Sequence, residues 1–373
     1  MLIGVPREIK NHEYRVGITP AGVRLLAGSG HQLRVESRAG ERIGYSDDDY
    51  RAAGALVVAG AAEVYDCPLV VKVKEPQAAE FPLLKKRQVL FCFLHLAPDP
   101  ALTQALLDAQ VTGIAYETVT DSRGALPLLT PMSEVAGRLS IQAGATALQL
   151  ASGGSGVLLG GVPGVAPARV AVIGAGTVGT QAARMALGLG ADVTLVDINL
   201  ERLRQLDDLF GPRLKTRYSE PAAIEEVARE SDLVIGSVLI PGKRAPKLLT
   251  RKTVKTMGPG SVIVDVAIDQ GGCAETSRPT THSEPTYVEE GVVHYCVTNM
   301  PAAAARTATQ ALANATLPFV RMLAEKGAKQ ALQGHAGLRN GLNVCLGRVT
   351  EAHVAEDLGY DYLPPEEAAA SLM

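Results

Sequence analysis

The stretch RVAVIGAGTVGTQAARMALGLGADVTLVD, residues 169–197, constrains this chain more than any other. An apolar run of strand type leads into Gly174, Gly176 and Gly179, spaced G-x-G-x-x-G, and a helical pattern follows at once. In such a unit the first glycine permits a tight turn, the second lets backbone approach a pyrophosphate, and the third lets helix and strand pack closely. The helix start offers unpaired N–H groups and a positive dipole end to the anion. Asp197 closes the next strand, 18 residues beyond Gly179. A carboxylate there accepts ribose hydroxyls and repels a 2′-phosphate. Strand, glycines, helix, strand and acid in that order predict a dinucleotide site, with NAD favoured over NADP and FAD. The alternative is a glycine-rich turn in an α/β domain that binds nothing.

The rest of the chain extends the α/β pattern. Strands are expected at LIGVP, HQLRVES, PLVVKVKEP, QVLFCFLHLA and VTGIAYET, with helices between them, which argues for a parallel sheet covered on both faces. Thr19-Pro20 and Thr130-Pro131 read as helix starts. The second gives a helical pattern of about twenty residues, which places a domain junction in or near it. A second series has strands at 169–174, 192–197, 232–239, 261–268 and 293–299. Strand signals then stop, and a mostly helical tail is expected to return to the first domain. The expected fold class is α/β: two doubly wound, Rossmann-like domains with a cleft between them, and a discontinuous substrate domain. The boundaries are 1–130 for the first part of the substrate domain, 131–300 for the nucleotide domain and 301–373 for the returning helices.

Composition excludes several classes. The net charge is −3 and no long basic run occurs, which argues against nucleic acid and anionic membranes. The most apolar later stretch is broken by Pro163 and Pro167, so no membrane span is expected. The N-terminus lacks a signal-peptide pattern. Five cysteines form no C-x-x-C and sit among apolar or small residues, as reduced buried side chains do, which fits a cytoplasmic location.

Four residues outside the glycine motif could carry chemistry. His95 ends the apolar run VLFCFLHLA, where ligands of open parallel sheets bind. It is either a satisfied structural histidine or a proton-transfer group. In PLVVKVKEP, alternation puts Lys72 and Lys74 on one face, either as solvated edge lysines or, for Lys74, as an ammonium near His95. Arg15 lies between the first strand and a helix start; it pairs with a surface acid or takes a substrate carboxylate. Asp269 follows a strand and precedes two glycines, as an Asx turn or a carboxylate at the ligand. Polar groups at strand ends of both domains point to hydride transfer.

The motifs NHEYRVGITPAG, VKVKEP, FLHLA, TPMSEVAGRLSIQAGA, GGVPGV, VIGAGTVG, VDVAIDQGGC, SRPTTH and VTNMPAAAARTAT together closely resemble the alanine dehydrogenase/transhydrogenase family, and within it the L-alanine dehydrogenases. The likeness runs from residue 1 to about residue 320 and is weaker in the tail. It implies reversible oxidative deamination of L-alanine to pyruvate and ammonia with NAD, in a homohexamer that uses no metal. It further implies that Arg15 and Lys74 hold the substrate, that His95 is the acid/base, and that Asp269 orients ammonia or water. Cofactor contacts are implied at Ser133, Gly174, Gly176, Thr177, Val178, Gly179, Asp197, Arg202, Ser219, Val238, Leu239, Val266, Ala267, Ile268, Asp269, Arg278, Val297, Thr298, Asn299 and Met300. The competing readings are a dehydrogenase for glyoxylate or another small 2-oxo acid, and a non-catalytic NAD-sensing or transhydrogenase-like subunit.

Overall fold

In a computed structural model, residues 1–238 and 245–372 are described. The chain opens with six short strands: β1 (Leu2–Val5), β2 (Gln32–Glu36), β3 (Leu56–Val58), β4 (Leu69–Val71), β5 (Val89–Cys92) and β6 (Thr112–Ala115). They pair in parallel in the order β3-β2-β1-β4-β5-β6. Seven strands follow: β7 (Arg169–Ile173), β8 (Asp192–Asp197), β9 (Leu214–Tyr218), β10 (Leu233–Gly236), β11 (Val262–Asp265), β12 (Thr286–Glu289) and β13 (Val292–Tyr295). Their order is β12-β13-β11-β10-β7-β8-β9, parallel except for β12. Both sheets therefore follow the doubly wound order, reversing direction beside their first strand. Near the chain's end β14 (Leu342–Cys345) and β15 (Arg348–Val349) extend the first sheet, β14 antiparallel to β6.

Those last two strands correct the expectation that strand signals stop after Asn299. Residues 342–345 are wholly buried, and a four-residue buried run has no periodicity to distinguish it from a helix turn. The short edge strands β3, β9 and β12 were also absent from the expected series; β9 reads LKTRY with only Leu214 buried. A polar edge strand such as β9 resists further pairing and so lacks an apolar alternation, whereas β3 is apolar but only three residues long.

Contacts divide the chain into two compact units, Met1–Met132 with the chain from Ala305 on, and Ser133–Ala304. The division falls inside the helix Thr130–Ala147. In the second unit Val170, Val172, Leu195 and Ile235 of the sheet form one buried cluster with Ala182, Ala183 and Ala186 of the helix Thr177–Gly188. Alanines on that face let the helix lie close to the sheet, which matters because its first turn adjoins the glycine motif. In the first unit Val70, Leu90, Cys92, Leu94 and Leu106 pack around β4 and β5, the strands that lead to Lys74 and His95.

Candidate active site

In the first unit the sheet order reverses between β1 and β4. Chain leaving their carboxyl ends builds the crevice where ligands of such sheets bind. Arg15, in the loop after β1, is not a surface residue: it is 2% exposed. Its Nε and Nη2 donate to the two carboxylate oxygens of Glu13 at 2.7 and 2.6 Å, and Nη1 lies 3.0 Å from the Met132 sulfur. Its acid is therefore a buried neighbour two residues away.

Lys72 and Lys74 are not equivalent positions on an extended strand, as alternation predicted. β4 ends at Val71, although hydrogen bonds from Lys72 N–H to Phe91 O and from Phe93 N–H to Val73 O carry the pairing slightly further. Lys72 is fully buried, its ammonium 2.8 Å from Glu80 and 3.3 Å from Glu8. Burial alone would lower its pKa, but the two carboxylates reverse that and raise it. Lys74 is half-buried, with its ammonium 5.8 Å from the centre of the Phe93 ring.

His95 is also displaced from its expected place. β5 ends at Cys92, and His95 lies three residues beyond in the left-handed region, φ 49°. The apolar run misled because Phe93, Leu94 and Leu96 are buried without being strand. Glu117, two residues past β6, secures this turn: its carboxylate accepts from Leu94 N–H at 3.1 Å and His95 N–H at 2.6 Å. The imidazole itself is 45% exposed and stacks on Phe93. Its Nδ1 is 3.8 Å from Glu75, a buried carboxylate that also pairs with Lys10. Lys74, Glu75, Phe93 and His95 are thus gathered at the ends of adjacent strands.

In the second unit one geometric fact gathers most expected cofactor residues: they follow the carboxyl ends of parallel strands. Gly174 follows β7, Asp197 ends β8, Ser219 follows β9, Val238 comes two residues after β10, Val266, Ala267, Ile268 and Asp269 follow β11, and Val297, Thr298, Asn299 and Met300 follow β13. Leu239 lies outside the described residues. Gly174 has φ 104°, which a side chain would strain. A Cβ on Gly179 would strike the Gly174 carbonyl oxygen, whereas Gly176 faces open space. No side chain caps the helix that begins at Thr177 and Val178. An open glycine beside an uncapped helix start fits a dinucleotide pyrophosphate. Asp197 accepts from Ala175 N–H at 2.6 Å, and Arg202 donates to Ala175 O at 3.0 Å and to the Thr180 hydroxyl at 2.8 Å. Glycine turn, acid and arginine therefore form one cluster.

Ser133 and Arg278 do not follow a strand end, and Asp269 does so in an exposed turn. Ser133 is in the first turn of the helix Thr130–Ala147, and Arg278 lies over the Tyr287 ring at 3.8 Å. Asp269 is exposed and sits in the 3-10 turn Val266–Gln270; the strand expected over 261–268 ends at Asp265. Asp265, fully buried, accepts from the N–H groups of Ala267 and Cys273 and from the Ser277 hydroxyl, at 3.1, 2.8 and 2.5 Å. It anchors the loop that carries Asp269. Glu8, Glu13, Glu117 and Asp265 all escaped sequence reasoning. Glu8, Glu117 and Asp265 share the signal of an acid at or just beyond an apolar strand, which is too common to single out, and Glu13 lies in a loop with no such signal. Among the described residues, no group of three or more acidic, histidine or cysteine side chains could hold a metal ion.

The family model described as alanine dehydrogenase/PNT, N-terminal domain matches residues 4–136, and the corresponding C-terminal domain model matches residues 140–352. An alanine dehydrogenase of Halomonas elongata is 59% identical over the full length of both chains. One of Bacillus subtilis is 55% identical over 99% of this chain and 97% of its own. A solved structure of an L-alanine dehydrogenase superposes with a TM-score of 0.94 at 53% identity, covering 96% of this chain and 99% of that one. The chain belongs to the alanine dehydrogenase/PNT family.

Proposed function

We propose that this protein catalyses the reversible NAD-dependent oxidative deamination of L-alanine: alanine, NAD⁺ and water give pyruvate, ammonium, NADH and a proton. The observation that carries this reading is identity of 55–59% with alanine dehydrogenases over essentially the whole chain, so that both units match and not the nucleotide-binding unit alone.

NAD supplies the hydride acceptor, held by the glycine turn, Asp197 and the other strand-end residues of the second unit. Every other task falls to the chain's own side chains. Arg15 and Lys74 supply positive charge for the substrate carboxylate and for the oxygen that becomes the pyruvate carbonyl. Hydride leaves Cα only when the amine is neutral, because its lone pair must form the C=N bond. His95 takes that proton. It passes that proton to solvent, and can then remove a proton from the water that attacks the imine and return it to the nitrogen of the carbinolamine. As the C–N bond breaks, the hydroxyl proton leaves with ammonia as ammonium and the carbonyl forms. An imidazole can both accept and donate a proton, which suits both directions. Glu75 offsets the charge on the imidazolium. Asp269 orients water or ammonia. A nearby cation stabilises the negative charge that develops on the carbonyl oxygen.

The same reading includes homohexameric assembly, a role in amino-acid catabolism and a cytoplasmic location. Leu150, Leu158 and Leu189 line one groove of the second unit and are exposed, as are Val162 and Val165 nearby in sequence; such an apolar surface supports subunit association. The five cysteines are all free and buried, which suits a reducing compartment. The test is NADH formation by purified protein supplied with NAD and alanine, serine, glycine or valine in turn. Alanine is expected to have the highest kcat/KM. A higher value for glycine, or a higher rate with glyoxylate than with pyruvate in the reverse reaction, would favour a dehydrogenase for another small 2-oxo acid.

A further inference from the structure

Lys74 is held by a residue outside the substrate site. In a parallel ladder, alternate N–H groups of a strand point to opposite neighbours. Beyond β4, the Lys72 N–H turns toward β5 and bonds to Phe91 O at 3.2 Å. The Val73 N–H points the other way, toward β1, but β1 pairs with β4 only through Ile3 and Gly4. An N–H group buried there needs another acceptor. Glu8, three residues past β1, provides it. Its Oε1 accepts from Val73 N–H at 2.7 Å and from Lys74 N–H at 3.3 Å. The Glu8 side chain is 1% exposed, and its other oxygen lies 3.3 Å from the Lys72 ammonium.

We infer that Glu8 is a positioning residue for the reaction: its carboxylate replaces the missing β1 backbone and fixes the point at which Lys74 leaves the sheet. This rests on the reading of Lys74 as a substrate-binding residue. The required feature is an acceptor oxygen at the two N–H groups. The negative charge serves a separate purpose, the pairing of buried Lys72, which Glu80 shares at 2.8 Å. Burial pushes the Glu8 carboxyl up to about 7, against the opposing pull of the Lys72 ammonium and the Val73 N–H. Lys74 then reaches over the Phe93 face from a fixed backbone, so displacement of that backbone displaces the ammonium.

Two variants separate acceptor from charge. Glu8→Gln keeps an oxygen at full side-chain length and loses the charge. Glu8→Asp keeps the charge and withdraws the oxygens by one methylene. In the amination direction, Glu8→Asp is expected to raise the KM for pyruvate by roughly tenfold or more, because small misplacements of substrate-binding groups are expensive. NADH affinity is expected to stay near the parent value, and Glu8→Gln to stay close to the parent in both. A general loss of folding would instead lower kcat and leave the pyruvate KM unmoved. The reverse ranking, with Gln impaired and Asp normal, would overturn the inference. Hydrogen exchange at the Val73 and Lys74 amides tests the clamp without turnover: faster exchange is expected in Glu8→Asp than in the parent or Glu8→Gln. Equal exchange in all three would overturn the clamp itself. Altered exchange with unaltered pyruvate KM would instead contradict the role given to Lys74.

Discussion

The Glu75 carboxylate lies 3.8 Å from the imidazole Nδ1 of His95. Burial opposes a charge on Glu75, but His95, Lys74 and Lys10 outweigh it and hold the carboxyl well below its ordinary range. The carboxylate therefore stays ionised beside the exposed ring. At 3.8 Å the contact is electrostatic and leaves Nδ1 outside hydrogen-bond distance.

Glu75→Gln is expected to lower stability at neutral pH by about 2 kcal/mol, the scale of interactions made by one buried, multiply paired carboxylate. The sign follows from the depressed pKa. The folded state holds its proton more weakly than the unfolded state, so the contribution is fully present above the ordinary value of 4.5 and is lost as pH falls below it. Denaturant unfolding across pH should show a gap between parent and variant at pH 7 that narrows in acid. A gap independent of pH would mean that shape and not charge is what Glu75 provides.

His95→Ala should reduce turnover by roughly 10²–10⁴-fold, the usual contribution of a positioned acid/base group. NADH should still bind, since the residues assigned to the nucleotide come from the second unit. Steady-state rates together with the fluorescence of bound NADH check both halves. A kcat near the parent's would remove His95 from the proton transfers.

Asp197→Ser should weaken NAD binding and improve relative use of NADP by at least roughly tenfold, because like charges in contact cost several kcal/mol. The loss for NAD has two sources: the ribose acceptor, and the bond that ties Ala175 N–H to this carboxylate at 2.6 Å. The ratio of kcat/KM for the two cofactors is the measurement. An unchanged ratio would transfer discrimination to another residue, and Arg202 beside the turn would be the first to examine.

What could be read from the sequence depended on whether a residue's constraint is local. Gly179 was legible because its side-chain-free position is required by a carbonyl five residues earlier. The left-handed turn at His95 was not, because the carboxylate that secures it, Glu117, lies 22 residues further on. Lys72 and Lys74 look alike at a spacing of two. Glu8 and Glu80, brought in from either side in sequence, bury one as a structural ion pair and leave the other half-exposed. The tail strands were hidden for the same reason: β14 finds its partner in β6, more than two hundred residues earlier.

The central claim is hydride transfer between nicotinamide and the α carbon of alanine. The most direct measurement supplies NADH deuterated at the transferable C4 position with pyruvate and ammonium, and locates the label by proton NMR. The account predicts L-alanine with deuterium at Cα, formed in equal amount to the NADH consumed. Unlabelled alanine, deuterated lactate, or oxidation of NADH without any amino acid formed would contradict it.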